Sequence, residues 1–381
     1  MEYITSGESH GKGMIITIKG IPSNLRIDEE FINNELKRRQ GGYGRGLRMK
    51  IETDRVEILS GVRNGKATGS PITLVVWNKD YENWKDKKTE AILSPRPGHA
   101  DLIGGYKFNL TDDLRDVLER SSARETAARV AGGAIARLFL KEFGIDIFSH
   151  VVNWGGIEID TSNLTIERIK ELSSNSEINS ACDKETEEKV KRLIDRVREE
   201  GNTIGGIIET IILNCPPFLG SYQTYQEKLD ARIAEAVLSI QAVKGIEFGL
   251  GFKYASTMGK DAHDEIYYDR TRQKYYRKTN RAGGIEGGMS NGMPIVFRAV
   301  MKPIPTLMSP LASVNIKTKE ATVAIKERSD VTAVASCGVV IENSVAFVIA
   351  NAIISRYGGD NVELIKKNFM NDDNLREFIE L

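Results

Sequence analysis

Ser344-Val345-Ala346-Phe347-Val348-Ile349-Ala350-Asn351-Ala352-Ile353-Ile354-Ser355-Arg356-Tyr357 reads as a helix that is apolar on nearly every face, and Gly358-Gly359 ends it. A helix without a polar side is expected between packed layers rather than on a surface. Working outward, short β-rich runs lie at Met14–Ile18, Ile72–Trp77, Ile207–Leu213 and Ile295–Val300, with helical patterns alternating between them. Ser122–Phe143 is rich in Ala and Arg with helical apolar spacing, and Leu229, Ile233, Val237 and Ile240 mark one face of a helix running to about Gly245. Thr165–Gly201 is charged and poor in apolar residues, which makes it a peripheral helical excursion. No linker rich in Pro, Gly and Ser divides the chain and no repeat is evident. Residues 1–381 therefore read as one large α+β domain.

Lys+Arg and Asp+Glu are both 53, so the net charge is zero, which argues against bulk attraction to nucleic acid or an anionic membrane. Cys182, Cys215 and Cys337 are odd in number and form no CxxC pair. They fit a reducing compartment better than a disulfide framework, and no metal site is read. The N-terminus lacks a basic segment followed by an apolar run, so no signal peptide is expected. The longest apolar run, Val345–Ile354, is too short to cross a bilayer and contains Asn351, so a cytoplasmic protein is expected.

Only four histidines are present, and two occupy glycine-flanked loops: His10 in Ser6-Gly7-Glu8-Ser9-His10-Gly11 and His99 in Arg96-Pro97-Gly98-His99-Ala100-Asp101. Loop-borne imidazoles beside clustered arginines suggest acid–base chemistry on an anionic substrate. Gly7–Gly11 also matches a serine nucleophile elbow, but it precedes the first β run, whereas an elbow follows a strand and opens a helix. In Leu36–Arg55 the cations Lys37, Arg38, Arg39, Arg45, Arg48, Lys50 and Arg55 outweigh Glu52 and Asp54 around the loop Gly41–Gly46, a candidate anion clamp. Ser122 and Glu125 have capping-box spacing at the start of the long helix, with Arg120 and Arg124 four apart on one helical face. Gly283–Gly292 holds five glycines but is followed by a β run, which excludes a dinucleotide loop and leaves close backbone approach to a flat ligand or a plain turn. Lys302–Thr306 is a stiff extended segment, Glu327-Arg328-Ser329-Asp330 sets an acid beside an arginine, and His150 and His263 read as structural.

Taken in order, Gly7–Gly11, Arg38–Gly46, Arg96–Asp101, Arg120–Arg129, Gly245–Phe252, Gly283–Gly292, Met301–Thr306 and Arg328–Asp330 resemble the chorismate synthase family over essentially the whole chain. The resemblance implies a β–α–β sandwich, antiparallel sheets around central helices, assembled as a homotetramer. It implies a lyase of the shikimate pathway that turns 5-enolpyruvylshikimate-3-phosphate into chorismate by anti 1,4-elimination of phosphate, using reduced FMN without net redox change.

By the same resemblance, Arg39, Arg45, Arg48 and Arg124 contact a substrate bearing two carboxylates and a phosphate. His10 protonates the reduced flavin or balances its charge, His99 donates a proton to the leaving phosphate, and Asp330 relays a proton from the flavin. Flavin contacts fall on Arg120, Ser121, Ser122, Gln241, Ala242, Gly287, Lys302, Pro303, Ile304, Pro305, Thr306 and Arg328. Some family members reduce their flavin with NAD(P)H; no appended reductase segment is read in this chain, so an external reductant is expected. In two places the chain departs from the family pattern. Gln241 replaces the usual Asn, and Val331 stands where Pro often follows the acid, a change expected to loosen the backbone beside Asp330. A true flavin oxidoreductase and a non-catalytic binder of anionic metabolites are the rival readings.

Overall fold

The computed structural model describes residues 1–45, 53–326 and 329–380. Strands β1 (Glu2–Ser6), β2 (Gly13–Lys19), β3 (Val56–Ile58) and β4 (Ile72–Trp77) form one antiparallel sheet in the order β1-β2-β4-β3. Strands β5 (Asp146–Trp154), β6 (Ile157–Glu158), β7 (Gly206–Leu213), β8 (Val243–Phe248) and β9 (Ile295–Met301) form a second, also antiparallel, in the order β8-β9-β7-β5-β6. Alternation decides which face each strand buries: in β2, Met14, Ile16 and Ile18 point inward and are fully buried, while Ile15 and Thr17 are only partly covered.

The helices α1 (Glu29–Gln40), α2 (Thr126–Lys141), α3 (Lys184–Glu199), α4 (Leu229–Leu238) and α5 (Val334–Tyr357) complete the frame. Helix α2 packs on β2 and β4, α5 packs on β5 and β7, and the two pack on each other with α1 against both. This is the sandwich of antiparallel sheets around central helices that the family resemblance implies. One continuous apolar cluster runs through it from Met14 to Leu375. The helix crossing is close because Gly133 has no side chain: a Cβ there would lie 2.2 Å from the Asn343 carbonyl oxygen.

Helix α5 is 24 residues long, ten residues longer at its start than the apolar run suggests, which at about 1.5 Å per residue is enough to cross a membrane. The expectation that it is too short is therefore corrected, and burial of 89 % of its apolar window inside the protein identifies it as a core helix. Its added first turns carry Glu342 and Asn343, both fully buried. Glu342 accepts from Arg38 Nη1 and Nη2 (2.7 and 2.9 Å), Arg137 Nη1 (2.7 Å) and Ser149 Oγ (2.6 Å). Glu35 closes the cluster by accepting from Arg38, Arg137 and Asn343 Nδ2. Asn351 also has a partner, donating to the Met1 carbonyl at 2.8 Å.

Two other boundaries and one placement differ. Helix α2 begins at Thr126, preceded by a 3-10 turn over Ala123–Glu125. Helix α4 ends at Leu238, because the chain turns through Ala242 (φ +71°) into β8 and carries Gly245 into a strand. Helix α3 is not peripheral: Val190 and Ile194, four apart on one face, are fully buried in the main core.

Candidate active site

The glycine turn carrying His10 links β1 to β2, so a strand does precede it, contrary to the sequence reading. A strand also follows it, and the nucleophile elbow stays excluded. Glu119, near the end of helix Arg115–Arg120, holds this turn at three points. Its carboxylate accepts from the His10 backbone N–H (2.6 Å) and contacts the ring Nδ1 (2.6 Å), while its carbonyl accepts from the Ser9 N–H (3.2 Å). Trp84 covers the imidazole with ring centroids 4.0 Å apart. Burial would push the Glu119 carboxyl up, but hydrogen bonds from His10 outweigh it and the group sits below its ordinary value.

His99 is held by a second buried carboxylate. Asp101, fully buried, accepts from His99 Nδ1 and from Arg96 Nε (2.8 Å) and backbone N (3.1 Å). Arg96 Nη2 lies 3.0 and 3.2 Å from the two His99 ring nitrogens, and its Nη1 donates to Thr306 Oγ1 at 3.0 Å. Burial raises the Asp101 pKa, but the hydrogen bonds from His99 and Arg96 overcome it and hold the carboxyl well below the carboxylate range. Lys302 Nζ donates to the Gly98 carbonyl, which ties the strap after β9 to the His99 loop.

Arg39 and Arg124 are buried against one carboxylate. Arg39, at the end of α1, donates through Nε to Thr126 Oγ1 (2.9 Å), and Arg124 donates through Nε to Asn78 Oδ1 (2.9 Å). Both pair with Asp54, at 3.4 and 2.7 Å. Burial, then the Arg124 charge, disfavours protonated Arg39, and Asp54 offsets part of this. Arg45 Nη1 pairs with Asp330 Oδ2 at 2.8 Å beside a cavity of about 410 Å³. Thr306 lines that cavity too, as do Arg198, Asn202 and Thr203 at the end of α3. Arg48 and Arg328 lie outside the described residues.

Arg120 and Arg124 do not share a helical face. Arg120 ends its helix and donates to the Thr5 carbonyl (2.9 Å), whereas Arg124 sits in the 3-10 turn and points inward. No capping box forms: Ser122 Oγ accepts from Arg124 N (3.3 Å) and donates to Ser9 Oγ (3.3 Å), and Glu125 is turned toward Thr5 (2.7 Å), Arg129 (2.9 Å) and Gln241 Nε2 (3.1 Å). Ser121 Oγ donates to the Val117 carbonyl at 2.5 Å. The Gln241 Oε1 atom is buried without a partner, and Ala242 O accepts from Lys302 N (2.9 Å), so this corner adjoins the strap Lys302-Pro303-Ile304-Pro305-Thr306. A buried acceptor in want of a donor fits a ligand ring bearing N–H groups. Gly287 sits elsewhere, at the exposed tip of the hairpin Ile285–Ser290, beside the first residue of α4 (Leu229 N to Gly288 O, 2.8 Å). Gln241 follows the other end of that helix, about 15 Å away along its axis.

Val331 does not loosen the backbone beside Asp330. Its N–H donates to Gly44 O (3.1 Å) and its carbonyl accepts from Ile204 N (3.1 Å), so the acid segment is stapled to both the glycine loop and the tail of α3. A proline could not supply the first bond. Sequence reasoning gave no role to Glu119, Asp101, Asp54 or Trp84. Asp101 closes the quoted His99 motif, Asp54 belongs to the quoted arginine cluster and Glu119 directly precedes Arg120, whereas nothing local marks Trp84. His150 is buried against Glu209 (3.1 Å) in the second sheet, and His263 is exposed.

The family model described as chorismate synthase matches residues 1–354. Chorismate synthase of Thermoanaerobacter pseudethanolicus is 54% identical over 369 residues, covering 97% of each chain, and that of Streptococcus thermophilus is 53% identical over 379 residues, covering 96% of this chain and 97% of its own. A chorismate synthase crystal structure superposes with a TM-score of 0.80 at 42% identity, over 99% of this chain and 98% of that one. A fold, a whole-chain family match and relatives above half identity coincide on one answer: this chain belongs to the chorismate synthase family.

Proposed function

We propose that the chain converts 5-enolpyruvylshikimate-3-phosphate to chorismate by anti 1,4-elimination, a lyase step of the shikimate pathway. The observation that carries this reading is the pairing of each loop imidazole with a buried carboxylate, His10 with Glu119 and His99 with Asp101. Around them, Arg39, Arg45 and Arg124, with Arg48, supply the forks that two substrate carboxylates and a phosphate require. His99, backed by Asp101, donates a proton to the departing phosphate, and Asp330, held by Arg45, moves the proton taken from the substrate ring. His10 holds the proton that balances charge at the cofactor.

The cofactor is reduced FMN, which when bound lends electron density as the carbon–oxygen bond breaks. Arg120, Ser121, Ser122, Gln241, Ala242 and Lys302–Thr306, with Arg328, would hold it. The unpartnered Gln241 oxygen and the strap beside it support the fit. Gly287, at the exposed tip of its hairpin, stands apart from Gln241 and the strap. The exposed apolar side chains of Ile4, Phe252 and Met258 support association of copies, which we take to be a homotetramer. The continuous core supports one domain over 1–381, and we place the enzyme in the cytoplasm with an external flavin reductant.

The test is anaerobic phosphate release from 5-enolpyruvylshikimate-3-phosphate with dithionite-reduced FMN, with chorismate followed by absorbance. Matched phosphate and chorismate, and none with oxidised FMN, are expected. No product while FMN remains bound would refute the assignment and favour a flavin oxidoreductase.

A further inference from the structure

We infer that Glu119 is the positioning residue that fixes the tautomer of His10, so that the ring gains and loses its working proton at Nε2. The inference rests on the placement of His10 in the active site proposed above. Glu119 is an ionised carboxylate, which can only accept hydrogen bonds. One oxygen takes the His10 backbone N–H, which can only donate, and the other faces Nδ1 at 2.6 Å. Nδ1 must therefore carry a hydrogen. In the neutral ring that makes Nε2 the acceptor, and in the charged ring it makes Nε2–H the proton to be given up.

The clamp is rigid where the turn alone would not be. Glu119 belongs to a helix, its carbonyl also holds Ser9 N–H, and Trp84 fixes the ring plane from one side. Trp84 is itself anchored by its Nε1–H to Asp80 Oδ2 at 2.8 Å. Gly7 (φ +105°) is required by the tight turn, since a Cβ there would lie 2.2 Å from the Gly13 carbonyl oxygen, and the carboxylate supplies the orientation that the glycine turn does not.

The experiment is Glu119→Gln, which keeps size and shape but has one accepting oxygen and one donating NH2. The backbone N–H of His10 claims the oxygen, so the NH2 faces Nδ1 and forces it to accept. The hydrogen then moves to Nε2. Ring-15N-histidine protein, free of substrate and flavin at about pH 8, above the usual histidine range, reports the tautomer directly. The His10 signals are assigned by their loss in His10→Ala. The expected result is Nδ1–H in the wild type and Nε2–H in the variant. Turnover in phosphate release should fall about 100-fold or more with KM little changed. Nε2–H in the wild type overturns the inference, whether or not the variant folds, and so does Nδ1–H retained in Glu119→Gln. Full turnover by His10→Ala would instead sink the proposed role of His10 and leave the tautomer result standing.

Discussion

Replacing Glu342 by Gln tests the claim that a charge cluster, and not apolar packing alone, holds the central helices together. Glu342 is 0 % exposed, and its carboxylate answers two arginines: Arg137, 9 % exposed, and Arg38, 40 % exposed. Glu35, 5 % exposed, is the other carboxylate in the cluster. The substitution leaves two cations facing one anion. Removing one partner of a buried pair costs about 3–5 kcal/mol, because the charge left behind has lost its solvent and its counter-ion. Arg38 can turn to water and Arg137 keeps Glu35, which puts the expected loss at the lower end, about 3 kcal/mol. Urea unfolding followed by circular dichroism at fixed protein concentration reads it as a lower midpoint at unchanged slope. A loss below about 1 kcal/mol would mean that the arginines find other partners, and the cluster would then be incidental to the fold.

Three further outcomes follow from the geometry. Gly133→Ala sets a Cβ 2.2 Å from the Asn343 carbonyl and should cost about 1–3 kcal/mol in urea unfolding; a neutral substitution would refute the close crossing. Val331→Pro removes the N–H donated to Gly44 and should weaken substrate binding about fivefold through the Arg45 loop, so an unchanged dissociation constant would refute the staple. Asp101 has a lowered folded pKa, so its contribution to stability is present above the ordinary carboxylate value of about 4 and is lost as the pH falls through the folded value. Wild-type urea midpoints should therefore fall more steeply with acid than those of Asp101→Asn, and parallel curves would refute this.

Where the sequence spoke clearly, a local pattern and a tertiary demand agreed. The alternating run in β2 is legible because one side of it is buried, and α2 is legible because its Ala-rich, apolar stretch is buried nearly all round. The start of α5 was hidden because Glu342 and Asn343 interrupt its apolar pattern, and it takes Arg38, Arg137 and Glu35 from two other helices, with Ser149 from the second sheet, to make such residues acceptable there. Helix α3 looked peripheral because its charges mask a narrow stripe at Val190 and Ile194. Ile240 extended the apparent period of α4 because a buried turn residue obeys the same burial rule as a helix face. At the site, scarce histidines between glycines stand out by themselves. The carboxylate of His99 is local, two residues on at Asp101, but that of His10 is not: Glu119 is 109 residues away and only the fold joins them.

Helices α2 and α5 are laid out like the arms of a pair of calipers. Each starts at the site, α2 directly after Arg124-Glu125 and α5 four residues after Asp330, and they touch where Gly133 meets Asn343. From that pivot the arms reach about 10 Å to Thr126 and about 13 Å to Val334. Arg124 and Asp330 thus stand beside the ends of two arms whose closest approach is at Gly133. The single hydrogen that glycine carries in place of a side chain is what lets those arms lie against each other, at a residue with no part in the chemistry.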